Sequence, residues 1–283
     1  MDWNKTKTIF IIVFSILNIF LYSLYVQQLT DAQNVQVISK TSIEEVMKQE
    51  NITYNLPQVN KNDYSSVTAT IKKFTKEELE TLVSQSIVIE NNTHIESDMN
   101  TAIAIQNDKG DFDFNEFMMK YVWHGNEYTL WEVNQEEQQA TFFQMVNGEP
   151  IFYSPNAMVV VHWNDDYEVT HYEQRMLEKF STESKKRDLM TQDEAVGSLA
   201  TRGYLKQDSK VLSVTPGYSS LVPLTEIQVF APTWNIRVEL KDGSIEEHFI
   251  NAIEGKVIDF QLEKVDEPQL DVDVDVDVDV DEE

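Results

Sequence analysis

Residues 8–26 read TIFIIVFSILNIFLYSLYV and carry no charged side chain. A helix needs about 20 apolar residues to cross a bilayer, so this run fixes one element before any other. Lys5 and Lys7 precede it, and the next basic residue is Lys40. The positive-inside rule then puts residues 1–7 in the cytoplasm, residues 8–27 in the membrane and the rest outside. Tyr22 and Tyr25 stand near the outer end, where amphipathic rings favour the interface. A cleaved signal peptide is the competing reading, but Thr30 and Ala32 make a poor small-x-small cleavage pattern.

Three polar residues interrupt the span, Ser15, Asn18 and Ser23. An amide in hydrocarbon gains about 0.6–2 kcal/mol from a partner on another helix. Ser15, Asn18 and Tyr22 are therefore the candidate transmembrane contacts. Asn18 bonding its own helix backbone is the alternative and stays open.

The chain holds 22 basic and 49 acidic residues, a formal net charge of −27. Phosphate binding needs clustered Lys and Arg, so nucleic acid is excluded as a partner. Ten of the acidic residues, and no basic ones, fall in residues 266–283. The alternating Asp-Val run in residues 264–283 has one face of solid carboxylate and reads as a disordered tail. There is no cysteine, which removes disulfides, thiol catalysis and cysteine-ligated metal.

The outer chain reads as α+β. Residues 28–60 give a stalk and a short helix opened by a capping box from Ser42 to Glu45. Residues 61–183 form a first unit, with a strand at 67–74, a capping box from Thr75 to Glu78 and helical spacing of Leu79, Leu82 and Val83. A strand at 101–106, a turn at 108–110, and strands at 128–133, 140–146, 150–153, 157–163 and 169–172 follow. Asn147-Gly148 is a hairpin signal. Residues 173–180 read equally as helix or strand. The polar stretch 181–188 is a joint. Residues 184–263 form a second unit, with a helix opened by Thr191 and Glu194 and strands at 211–215, 227–230, 234–240, 245–251 and 256–260.

No nucleophile elbow, phosphate loop, dinucleotide fingerprint or HExxH pair is present, so no catalytic residue, cofactor site or metal ligand is assigned. His162 and His171 flank a turn with Asp165 and Asp166, a weak zinc pattern that reads better as ordinary sheet histidines. Residues 111–115 resemble part of a calcium loop but lack its Gly and terminal Glu, and read as a structural loop. Trp123, Trp131, Trp163 and Trp234 read as core or interface anchors.

Two stretches carry a family resemblance. Residues 1–12, continuing to Leu17-Asn18-Ile19-Phe20-Leu21, resemble the opening of the YycI (WalI) family. Pro232-Thr-Trp234-Asn-Ile236 and Ile250-Asn251-Ala252-Ile-Glu-Gly255-Lys-Val257 resemble the last domain of YycI and its relative YycH, and also PepSY-type sheets. The resemblance implies a non-enzymatic accessory regulator of the WalK/WalR (YycG/YycF) two-component system of low-GC Gram-positive bacteria. It implies a complex with a YycH-like membrane protein and control of the WalK sensor histidine kinase through transmembrane helices. A homodimer of the outer region is kept as a further pairing, and an envelope binding module as a further function. The sign of control, the stimulus and the interface on the outer domain are not part of the resemblance.

A retained anchor predicts full-length protein in the membrane fraction after an alkaline wash. A form in the culture medium trimmed near residue 32 is the contrary result.

Overall fold

The computed structural model describes residues 3–36, 40–56, 65–107, 109–182, 189–220 and 226–260. The acidic tail, residues 183–188 of the expected joint and Asp108 of the expected turn lie outside them. Helix α1 runs Trp3–Gln36. Its apolar part, Lys7–Tyr25, has a mean hydropathy of 2.1 and none of it is buried against the rest of the protein. The helix continues through polar residues that contain neither Gly nor Pro, so nothing local stops it.

Helix α2, Lys40–Gln49, begins two residues before Ser42, which lies in its first turn and not at the cap. It packs on α5, Gln192–Thr201. Gly197 makes this approach fit, because a Cβ there would lie 2.5 Å from Ile43 Cδ1. Helix α5 opens with a full capping box, Thr191 with Glu194. The short helix α3, Lys76–Leu79, has the same device in Thr75 and Glu78. It ends at once, and the spacing of Leu82 and Val83 that reads as more helix belongs to a turn leading into a strand.

Among the described residues, thirteen strands form two linked sheets. The first unit supplies β2 (Gln85–Glu90), β3 (His94–Ala104), β8 (Glu168–Gln174), β7 (Met158–Trp163), β5 (Gln139–Val146) and β4 (Tyr128–Asn134), all antiparallel. The second sheet runs β13 (Val257–Ile258), β12 (Ile245–Asn251), β11 (Ile227–Glu239) and β10 (Lys210–Ser220). The link is β6, Glu149–Phe152. It pairs with β5 through the Asn147-Gly148 hairpin and runs parallel to β10, Ile151 beside Tyr218. Both turn residues have positive φ, 55° and 81°, as a type I′ turn demands.

Strand β11 is one 13-residue strand, where the sequence reads two strands split around Pro232. It pairs with β10 at 230–239, with β1 (Val67–Ile71) at 227–230 and with β12 at 233–239. Pro232 falls at the changeover, where a missing N–H costs the ladder least. Residues 173–180 resolve as the end of β8 and the strand β9, Leu177–Thr182, which pairs with β1. So β1, early in the chain, is held between β9 and β11.

Besides the single 3-10 turn Gly125–Glu127, two described elements escape the sequence reading. One is β2. The other is α4, Asn115–Tyr121, which buries Phe117, Met118 and Tyr121. With Phe114 they stand at i, i+3, i+4 and i+7, a helical signal obscured by the calcium-loop comparison. Asp113 Oδ1 accepts from the Asn115 backbone and side chain, so this acid caps a turn.

One core lies under sheet one, with Ile95, Phe117, Val159, Val161 and Tyr172. Another lies between α5 and sheet two, with Leu199, Trp234, Ile236 and Ile250. At the junction Phe143, Phe152 and Phe249 meet Trp131 and Tyr153. Their rings stand 5.0–5.6 Å apart in the pairs Phe143–Tyr153, Trp131–Phe152 and Tyr153–Phe249. Each such pair is worth about 0.5–1.5 kcal/mol beyond the area it buries.

The parallel contact of β6 with β10 depends on Gly217, where a Cβ would collide with the Phe152 ring and the Pro150 carbonyl. Gly217→Ala is expected to destabilise the protein by about 1–3 kcal/mol. Thermal unfolding reads this as a Tm lowered by roughly 2–10 °C. An unchanged Tm would show that the two sheets do not depend on that approach.

Candidate functional site: the polar face of the anchor helix and the cleft between the sheets

The anchor helix has two kinds of surface. Thr8, Ile11, Ser15, Asn18, Tyr22 and Tyr25 recur at spacings of three and four. At 3.6 residues per turn they fall within an arc of roughly 100°, the seam pattern of a helix that meets another helix. The rest of residues 8–25 is Ile, Leu, Phe and Val apart from Ser23, which lies off the seam. Ser15, Asn18 and Tyr22 are all solvent-facing in the isolated chain. Asn18 Nδ2 donates to the Phe14 carbonyl at 2.9 Å. That is the backbone bond weighed as the alternative to a helix partner. A carboxamide has two donors and an acceptor oxygen, so one bond leaves most of its capacity for a neighbour.

The second feature is a cleft of about 470 Å³ between β4 and the open face of sheet two. Trp131, Glu132, Tyr153, Asn235, Arg237 and Glu247 line it. Alternation on β11 explains the placement. Trp234, Ile236 and Val238 turn toward α5, so Asn235 and Arg237 turn away from it. Arg237 Nε pairs with Glu247 Oε1 at 3.1 Å. Burial raises the Glu247 carboxyl above the usual range, Arg237 opposes that shift and Glu132 adds to it. Trp131 Nε1 donates to the Tyr153 hydroxyl at 3.1 Å. Asn235 is fully buried, and its Nδ2 has no hydrogen-bond partner among the described residues.

The other sequence candidates separate. His162 and His171 are direct partners across β7 and β8. Asp165 does not join them and instead accepts from Gln138 Nε2 at 2.6 Å. Trp163 and Trp234 are core residues, and Trp234 Nε1 donates to the Met190 carbonyl at 2.8 Å. Trp123 is partly buried beside His124, and Trp131 faces the cleft. Neither the cleft nor its Arg–Glu pair is among the sequence expectations. The alternation of Trp234, Ile236 and Val238 was the available signal, since it leaves Asn235 and Arg237 together on the other face.

The fold and these features define an α+β protein with one helix near the N-terminus long and apolar enough to cross a membrane. The YycI protein family model matches residues 31–253. The chain belongs to the YycI family, whose members are accessory proteins with a regulatory role in the WalK/WalR two-component system and are not a known enzyme family. The match begins beyond the apolar span, so it rests on the folded region and not on the opening residues that first carry the resemblance. No curated protein matches the chain. An uncharacterized protein from Eubacterium rectale, known from its crystal structure, is similar at 9% identity and a TM-score of 0.43, covering 74% of this chain and 89% of its own.

Burial holds both His162 and His248 below the usual histidine range. For His162 the nearby His171 adds to the shift and Glu173 opposes it, and for His248 Glu246 opposes and Lys206 adds. Each therefore binds its proton more weakly folded than unfolded. Stability is full above the unfolded pKa near 6.5 and falls as pH drops through that value toward the folded one. Glu173, held low chiefly by its bond from His94, is lost in the same direction at lower pH. The Tm is expected to fall between about pH 7 and 5, and His248→Asn to flatten that fall. A Tm independent of pH across this window would contradict the burial of these imidazoles.

Proposed function

We propose that this protein is a single-pass membrane regulator, N-terminus inside and folded region outside, that biases the WalK sensor kinase through its anchor helix. The seam of Thr8, Ser15, Asn18, Tyr22 and Tyr25 carries the reading. Lipid supplies no hydrophobic drive between helices, so a stripe of hydrogen-bonding side chains is where a specific partner gains most. The partners in this reading are the helices of WalK and of a YycH-like membrane protein. Coupling then requires that the anchor contact the kinase differently in its two signalling states, since equal contacts shift nothing. Family membership supports the regulatory role and the association with the WalK system.

Asn18→Leu is expected to weaken helix association roughly three- to thirty-fold, equivalent to about 0.6–2 kcal/mol. The measurements are co-purification of the kinase from solubilised membranes and the output of a WalR-dependent reporter. If neither changes, Asn18 leaves the proposal.

The cleft favours a second reading, an envelope module that binds a wall ligand or acts as a PepSY-like inhibitor. It is concave, with aromatic walls and a few convergent polar groups, as ligand sites are. Exchanging the anchor for an unrelated spanning helix separates the two. Regulation lost with the exchange supports the helix contacts, and regulation retained supports the cleft.

A further inference from the structure

Three of the chain's five histidines meet on the outer face of sheet one. His162 on β7 stands directly opposite His171 on β8. Opposed residues of an antiparallel pair hold their Cβ atoms about 4.5–5.5 Å apart, close enough for both rings to reach one ion. The ring centres lie 5.6 Å apart. Glu173 follows two residues along β8, so it shares their face, and its Oε1 lies 3.9 Å from His162 Nε2. Donor atoms on one tetrahedral zinc, at bonds of about 2.0–2.1 Å, stand about 3.3 Å apart. A small rotation of either side chain closes that difference.

A second ring of contacts orients these groups. Asp98, opposite His171 on β3, lies 2.9 Å from its Nδ1. That pairing presents Nε2 to a ligand, and a carboxylate on the far nitrogen is how metal-binding imidazoles are generally held. His94, buried at 6% exposure, meets Glu173 Oε2 through Nε2 at 3.1 Å. The charge balance also favours a cation. Glu90, Glu96, Asp98 and Glu173 gather here against the one guanidinium of Arg175.

Among the described residues, Glu90, His94 and Glu96 have ligand atoms that all lie within 4.8 Å of one another; those of His162, His171 and Glu173 do not, and a rotamer change at His171 has to bring them together. In the first trio the His94 nitrogen that faces Glu90 and Glu96 already has Arg175 Nη2 at 3.4 Å. Among the described residues, Glu173 pairs with His94 and His162 and with no Lys or Arg.

We infer that His162, His171 and Glu173 bind a divalent transition-metal ion of the zinc class, with Asp98 and His94 as positioning residues. Two imidazoles and a carboxylate are a donor set that zinc accepts, with a fourth position left for water or a group from another protein. Magnesium and calcium prefer oxygen ligands alone and do not fit. A neutral imidazole and an ionised carboxylate are the forms that ligate a metal.

The test uses the purified full-length chain in detergent, stripped of metal and titrated with zinc chloride by calorimetry. Millimolar magnesium is included to compete for carboxylate-only binding, such as at the acidic residues of 266–283. One zinc per chain is expected, with affinity weakened at least tenfold by His162→Asn or His171→Asn. Asp98→Asn should cost about 10–100-fold while leaving the stoichiometry at one. As a check independent of variants, zinc should shield His162 and His171 of the wild-type chain from acylation by diethyl pyrocarbonate. No zinc bound in magnesium, affinity unchanged in both histidine variants, or acylation unaffected by zinc would each overturn the assignment.

Discussion

Strand β11 is the constraint on which the rest of the fold depends. It pairs with β10 from Phe230 to Glu239, and its other edge serves two neighbours in turn, β1 and then β12. A strand shared in this way must switch partners without leaving an orphaned donor, and Pro232 stands at the switch. Because β1 is also clamped against β9, the chain's early and late segments are locked into one hydrogen-bonded network. The second lock is the parallel contact of β6 with β10, which the absence of a side chain at Gly217 permits.

Much of this was legible, and the failures have physical causes. Local chemistry reads well. The capping boxes at Thr75 and Thr191 form as the residues demand, and Asn147-Gly148 turns the β5–β6 hairpin. Strands with clear alternation, such as β4 and β7, fall where expected. What failed were inferences from punctuation. Proline read as a strand break is instead a change of neighbour, and Leu82 and Val83 extend a helical pattern that the chain abandons after Leu79. Long-range pairing was not legible, because nothing in VTATI says that its partners lie more than a hundred residues away.

The candidate sites differ in the same way. The seam of α1 is readable from spacing alone, since the apolar part of that helix packs on no tertiary core that could rewrite its pattern. The cleft needed the structure, because Trp131 and Arg237 are far apart in the chain and come together only when β4 faces sheet two. The histidine group is intermediate. His162 and His171 lie close in sequence, but their proper neighbours are Glu173, Asp98 and His94, not the aspartates of the intervening turn.

The seating of α2 on α5 has a mechanical meaning. The first described element after α1 attaches to sheet two, and Thr53 bridges to Lys210 beside it. A pull on the start of α2 is thus delivered first to α5 and β10, which that helix and the residues after it touch, before it reaches the histidine-bearing sheet.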